Sequence, residues 1–148
     1  MKMPQAHLAI LKKRYLDLIL SGEKTVESRF MRRAIAPMGK ICKGDVVFLK
    51  ESAGAVVATA RAGIVKEFRD LEPEKIAKIR LEYNRFICGE TEFWVSVADK
   101  KYAMLVELCD VKAIEPVRIK KKDWRAWVVL SDNNNYGLVQ SSKFKVLS

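Results

Sequence analysis

The densest run of groups able to do chemistry lies at residues 22–29, which read Gly22-Glu23-Lys24-Thr25-Val26-Glu27-Ser28-Arg29. If Thr25 to Phe30 is extended, residues two apart share a face. Thr25, Glu27 and Arg29 then point one way, and Val26, Ser28 and Phe30 the other, with Lys24 in the turn just before. One pocket wall would present a carboxylate between two cations. Glu27 can pair with Arg29 or Lys24 and stay ionised. Arg29 offers a planar fork to phosphate, Lys24 offers a mobile point charge, and the Gly22 turn lets a ligand approach the backbone. The plainer alternative is an exposed strand carrying a surface ion pair, which is worth little.

The elements that must position this run are legible around it. His7 to Lys12 predicts a first strand. Tyr15, Leu16, Leu18, Ile19 and Leu20 have helical spacing over a short segment, and Gly22 is a natural helix C-cap. Pro37, Gly39 and Gly44 punctuate a loop. Residues 45–52 and 55–66 predict a hairpin turning at Ala53-Gly54. Pro73 opens a helix with acids in its first turn, Ile76, Ile79, Tyr83 and Phe86 or Ile87 recur on one face, and Gly89 stops it. Phe93 to Val97 and Tyr102 to Leu108 predict two strands around an Asp99-Lys100 turn. Val111 to Ile119 predicts another, with Pro116 placing part of it at an edge. Trp127 to Leu130 predicts a short strand, Asp132 to Gly137 a turn, and Tyr136 to Leu147 one or two last strands. This order predicts an α+β domain, a small mixed β-barrel with two main helices at its ends.

Length and composition set the bounds. The chain has 148 residues, 49% of them apolar and 31% charged, as expected of one soluble globular domain over 1–148. No apolar run reaches the roughly 18 residues of a membrane span, and the N-terminus lacks the pattern of a secretory signal. The expected location is cytoplasmic, with no membrane partner. Cys42, Cys88 and Cys109 form no CxxC pair, and His7 is the one histidine, so neither a metal nor a cofactor is expected. The net charge of +10 is uneven. Residues 1–50 carry eleven Lys and Arg against four Asp and Glu, 51–100 eight against nine, and 101–148 nine against five. If the two ends meet in space they form a positive face that attracts phosphates. The alternative is that the charge only keeps the protein soluble.

GEKTVESR matches GxKxxExR, and through Gly22, Lys24, Glu27 and Arg29 the chain resembles the ASCH domain family. The likeness extends to the strand and short helix before the motif and to the Gly44-Asp45-Val46-Val47-Phe48 strand after it. It is clearest over residues 7–115. It implies a PUA-like fold, a pseudo-barrel related to RNA-binding modules, and a cleft for RNA or a nucleotide-like ligand. Arg32, Arg33, Lys40 and Lys43 in the following loop then become candidate phosphate contacts, against the plain reading of a solvated loop. The family implies a second activity, removal of an acyl group from a modified cytidine such as N4-acetylcytidine. There the motif lysine works with a threonine three positions later and a distant glutamate. Here position 27 is Glu, Thr25 is adjacent to Lys24, and Glu74, Glu82, Glu90 and Glu92 are all open as the distant acid. Lys24 as a base with Glu27 orienting a water is a modified route. A ribonuclease built on Lys24, Glu27 and Arg29 is another.

Other residues divide between function and packing. His7 is expected in the core or at an edge. Trp94, Trp124 and Trp127 are candidates for stacking on bases, with Trp94 expected in the core and Arg125 and Trp127 expected at the surface. Cys42, beside Lys40 and Lys43, is either reactive or, more simply, a buried thiol. A protein partner is not specified by the sequence, and a protein-interaction module that uses the fold only as a scaffold is a third reading.

Overall fold

The computed structural model describes residues 4–138. Its described elements run β1 (Ala6–Leu11), α1 (Lys13–Ser21), β2 (Val26–Met31), β3 (Val46–Glu51), β4 (Val56–Phe68), α2 (Pro73–Ile87), α3 (Thr91–Ser96), β5 (Tyr102–Val117) and β6 (Trp127–Val129). The strands form one mixed sheet in the order β2-β5-β4-β3-β1-β6, with β1 parallel to β3 and every other pair antiparallel. This is a curled half-barrel of the expected α+β, PUA-like kind.

The curl comes from β4 and β5, of 13 and 16 residues. Their ladder shifts register three times, and each irregularity bends the pair and adds twist. The sequence reading split β5 in two near Cys109. The strand instead runs through, with Asp110 at φ 49° absorbing the bend. Pro116 is tolerated because β2 pairs only with residues 102–107, leaving one side of the far end of β5 unpaired.

Three apolar clusters follow from this curl. Inside the half-barrel, Ala9, Leu11, Val47, Leu49, Met104, Val106 and Trp127 pack together with Leu16 and Ile19 of α1. On the outer face of β2 and β5, Leu105 and Phe30 meet Ile76, Ile79, Ile87 and Trp94. Around β6, Leu8, Phe48, Val128 and Leu138 form a third cluster.

The helix boundaries have local causes. Gly22 ends α1 in the left-handed conformation at φ 87°, its N–H bonding Ile19 O. Pro73 opens α2 as expected, but Cys88 rather than Gly89 takes the left-handed cap position. The Asn84 side chain then receives the Gly89 N–H at 2.8 Å and the Trp94 indole N–H at 3.1 Å. That bracket starts α3, where a strand was expected over Phe93 to Val97. Phe93, Trp94 and Val97 stand one and four residues apart, so a helical turn seats all three against α2, whereas alternation would turn Trp94 away from the others. Burial overrides the strand preference of these residues. A third helix therefore joins the two expected. The strands expected over 136–147 fall on a turn at 136–138, and the remainder lies outside the described residues. Among the described residues no helix is long and apolar enough to cross a membrane.

Candidate functional site

The motif is held at the end of α2 and across the mouth of the half-barrel. After the Gly22 cap, Lys24 N–H returns to Leu18 O at 3.0 Å, and Thr25 N–H bonds Phe86 O at 3.0 Å. β2 thus starts from the C-terminal turn of α2. The Lys24 side chain is buried and donates to Ile87 O at 2.7 Å and to Val26 O at 2.8 Å. Its third partner is Glu27 Oε1 at 3.2 Å, and the Tyr15 ring lies 5.5 Å from its Nζ. An ammonium at the last carbonyls of a helix also complements the helix dipole.

Glu27 is buried between this ammonium and Arg29, whose Nη2 sits 2.6 Å from Glu27 Oε2. Burial pushes the Glu27 carboxyl up, but the charges of Arg29 and Lys24, and their hydrogen bonds, outweigh it and hold the carboxyl below its usual range. Arg29 also donates to Ile10 O at 3.0 Å and to Ala126 O at 3.2 Å, and lies over the Trp127 ring at 5.2 Å. Ile10 lies one residue before the end of β1 and Ala126 precedes β6, so one guanidinium ties the free edge of β2 to the opposite side of the curled sheet.

Beside these three residues opens a cavity of about 460 Å³. Its walls are Tyr15, Phe30 and Phe93, its floor is Lys24, Glu27, Ser28 and Arg29, and its rim includes Lys12, Arg14, Glu92 and Ser96. Ser28 Oγ and Arg29 Nε, both buried, have no hydrogen-bond partner among the described residues. The site therefore combines fixed charge, aromatic walls and two unsatisfied polar atoms. These suit a planar, polar guest that carries negative charge.

The other sequence-derived site residues lie elsewhere. Gly22 is a helix cap outside the cavity lining. Thr25 lines a separate cavity of about 220 Å³ with Val26, Lys66, Tyr83 and Phe86, so the expectation that it shares a face with Glu27 and Arg29 is corrected. The cause is that the α2 docking contact precedes the strand, which begins only at Val26. Arg32, Arg33, Lys40 and Lys43 are exposed and off the cavity lining, and Arg32 is paired with Asp99. Trp127, expected at the surface, is 4% exposed, and its indole N–H donates to His7 Nδ1 at 3.0 Å. That correction follows from β6 pairing with β1, which turns Trp127 inward. Arg125 is half-exposed and pairs with Asp123 in a neighbouring cavity. Cys42 is exposed, against the simpler expectation of a buried thiol.

His7 is fully buried, as expected of a core residue, with Nε2 2.9 Å from Asp45 Oδ2. Of the four glutamates open as a distant acid, Glu92 lines the cavity and Glu90 pairs with Arg14 at 2.6 Å. Residues not singled out from sequence are Lys12, Arg14, Tyr15, Phe93 and Ser96. The run Lys12-Lys13-Arg14 at the start of α1 was a visible signal for the first two. Nothing local marked the others. Among the described residues, no three His, Cys, Asp or Glu side chains gather to hold a metal.

Comparison with known proteins points the same way as the fold. No curated protein sequence matches the chain. Among solved structures, the ASCH protein of Zymomonas mobilis superposes with a TM-score of 0.68 at 16% identity, covering 87% of this chain and 90% of its own. A Ser-to-Ala mutant of that protein gives the same score and identity, covering 89% of this chain and 94% of its own. At that identity the likeness shows the fold alone. The description "ASCH domain" matches residues 10–146, nearly the whole chain, and the protein belongs to the ASCH domain family.

Proposed function

We propose that the protein binds RNA or a nucleotide-like ligand in the cavity floored by Lys24, Glu27, Ser28 and Arg29. One observation carries this reading. Among the described residues, Ser28 Oγ and Arg29 Nε are buried without partners, on residues that line an open, aromatic-walled cavity with Lys12, Arg14 and Glu92 at its rim. Unpaired buried polar atoms are costly, and a base or phosphate oxygen in the adjoining cavity would supply what they lack once a side-chain rotation turns them toward it. Tyr15, Phe30 and Phe93 offer ring surfaces to a base, and Lys12 supplies positive charge at the rim beside the Arg14–Glu90 pair. Lys24 has a different part from the one its type suggests. Its three N–H groups meet three acceptors, so it sets the position and charge of Glu27 rather than touching phosphate.

The same geometry disfavours a hydrolase built on Lys24 with Thr25. The ammonium is fully engaged as a donor, and Thr25 faces the other cavity. The test is fluorescence anisotropy of labelled single-stranded RNA at low salt, with Ser28→Ala and Arg14→Gln beside the wild type. Binding is expected to weaken with salt as counterions are released. Losing the Ser28 hydrogen bond should weaken it roughly fivefold, the equivalent of about 1 kcal/mol. No binding, or identical binding by both variants, overturns the reading. N4-acetylcytidine is expected to stay intact in the same preparation, and turnover lost in Lys24→Met would replace binding by catalysis.

A further inference from the structure

A second cavity of about 440 Å³ adjoins the first, and Ile10, Leu11 and Lys12 line both. Its other lining residues include Lys50, Lys121, Asp123, Trp124 and Arg125. Four cations thus face one carboxylate, and that carboxylate is already taken. Asp123 holds Lys121 and Arg125, each at 2.8 Å, and these hydrogen bonds keep its carboxyl well below the usual range.

Lys50 is the anomaly. It sits on β3 at 8% exposure and donates to its neighbour Glu51 O at 3.1 Å. No salt bridge reaches it among the described residues. Burial lowers its affinity for the proton, the nearby charges of Lys121 and Arg118 lower it further, and the adjacent Glu51 carboxylate only partly opposes them. An ammonium withdrawn from water among like charges costs stability unless an anion completes the site. At the same rim Trp124 is 99% exposed, a large apolar surface left in water where an aromatic ring would otherwise be buried.

We propose that this second cavity is an anion subsite in which Lys50, with Lys12 and Arg125, receives a phosphodiester of a single-stranded nucleic acid, while Trp124 stacks on a flanking base. Ile10, Leu11 and Lys12 border both cavities, so one strand passing over Lys12 would reach both. The proposal rests on the nucleotide-binding reading of the first cavity and narrows it. The ligand is a strand of several nucleotides rather than a lone nucleoside. Charge supplies affinity without sequence preference, and the exposed ring supplies stacking that any base satisfies.

The experiment measures the affinity of the full chain for a labelled RNA octamer, with salt titrations, in Lys50→Met, Trp124→Ala and Ser28→Ala. Lys50→Met keeps the side-chain volume and removes an uncompensated charge, so its melting temperature should match or exceed the wild type. Its affinity for the octamer should nevertheless fall, and its log-log salt slope should flatten by about 0.7 for one lost phosphate contact. Trp124→Ala should weaken binding about 5- to 150-fold. If Ser28→Ala weakens octamer binding while Lys50→Met and Trp124→Ala bind as wild type, the subsite is refuted and the first-cavity reading stands. If Lys50→Met and Trp124→Ala weaken binding while Ser28→Ala does not, the subsite stands and the first-cavity reading falls. A wild type that does not bind the octamer refutes both.

Discussion

Replacing Glu27 by Gln tests the physical centre of the site. The substitution keeps size and shape but removes the one carboxylate shared by Lys24 and Arg29. Both cations retain other partners. Lys24 keeps Val26 O and Ile87 O, and Arg29 keeps Ile10 O and Ala126 O. Those carbonyls supply hydrogen bonds but no net charge. Two positive groups would remain close together in a largely buried site, where removing one partner of a buried pair costs about 3–5 kcal/mol. A domain of this size loses about 2–4 °C of melting temperature per kcal/mol. The expected fall is therefore roughly 6–20 °C, read by circular dichroism, with the fold kept because typical domains hold about 5–15 kcal/mol. Adding Lys24→Met to Glu27→Gln removes one of the stranded charges. The double variant should then be more stable than the sum of the two single losses predicts, by about 1–3 kcal/mol. A melting temperature for Glu27→Gln within 2 °C of wild type, a margin of about 1 kcal/mol at this chain length, would refute the claim that one carboxylate neutralises both cations.

The remaining predictions concern the frame around the site. His7 is held neutral, because burial lowers its affinity for the proton more than Asp45 raises it, and its Nδ1 accepts the Trp127 N–H. The unfolded chain takes up a proton near the ordinary value of 6.5 and the folded chain does so only at lower pH. Stability is therefore complete above pH 6.5 and declines as pH falls below it. Urea denaturation between pH 7.5 and 5.5 should show that slope, on the order of one pH unit to either side of a histidine's ordinary pKa, and His7→Gln should flatten it. At Gly22 an added Cβ meets nothing within 4 Å, but the φ of 87° disfavours any side chain. Gly22→Ala should cost about 1–2 kcal/mol, and Gly22→Asn less.

How far the sequence reaches is clearest at particular residues. The Lys24, Glu27 and Arg29 spacing showed that opposite charges would meet, and Pro73, Gly22 and the hairpin turn at Ala53-Gly54 marked where elements begin and end. All of these are local signals, carried by neighbours along the chain. The burial of Trp94 was expected, but its helical setting and the burial of Trp127 were beyond such reasoning. Trp94 lies in a helix because Asn84 and the α2 surface receive it, and Trp127 is buried because β6 pairs with β1 across more than a hundred residues.

The chain by itself determined the family, the charged motif and the kinds of element that carry it, because periodicity, caps and turn residues act over a few residues. Only the tertiary structure decided that Lys24 spends its donors on α2 and that Arg29 closes the curl against Ile10 and Ala126. It alone placed Lys50, buried and in no salt bridge among the described residues, in one cavity with an exposed Trp124. Each of these depends on which distant backbone carbonyls and charges the folded sheet brings together, and no spacing along the chain encodes that.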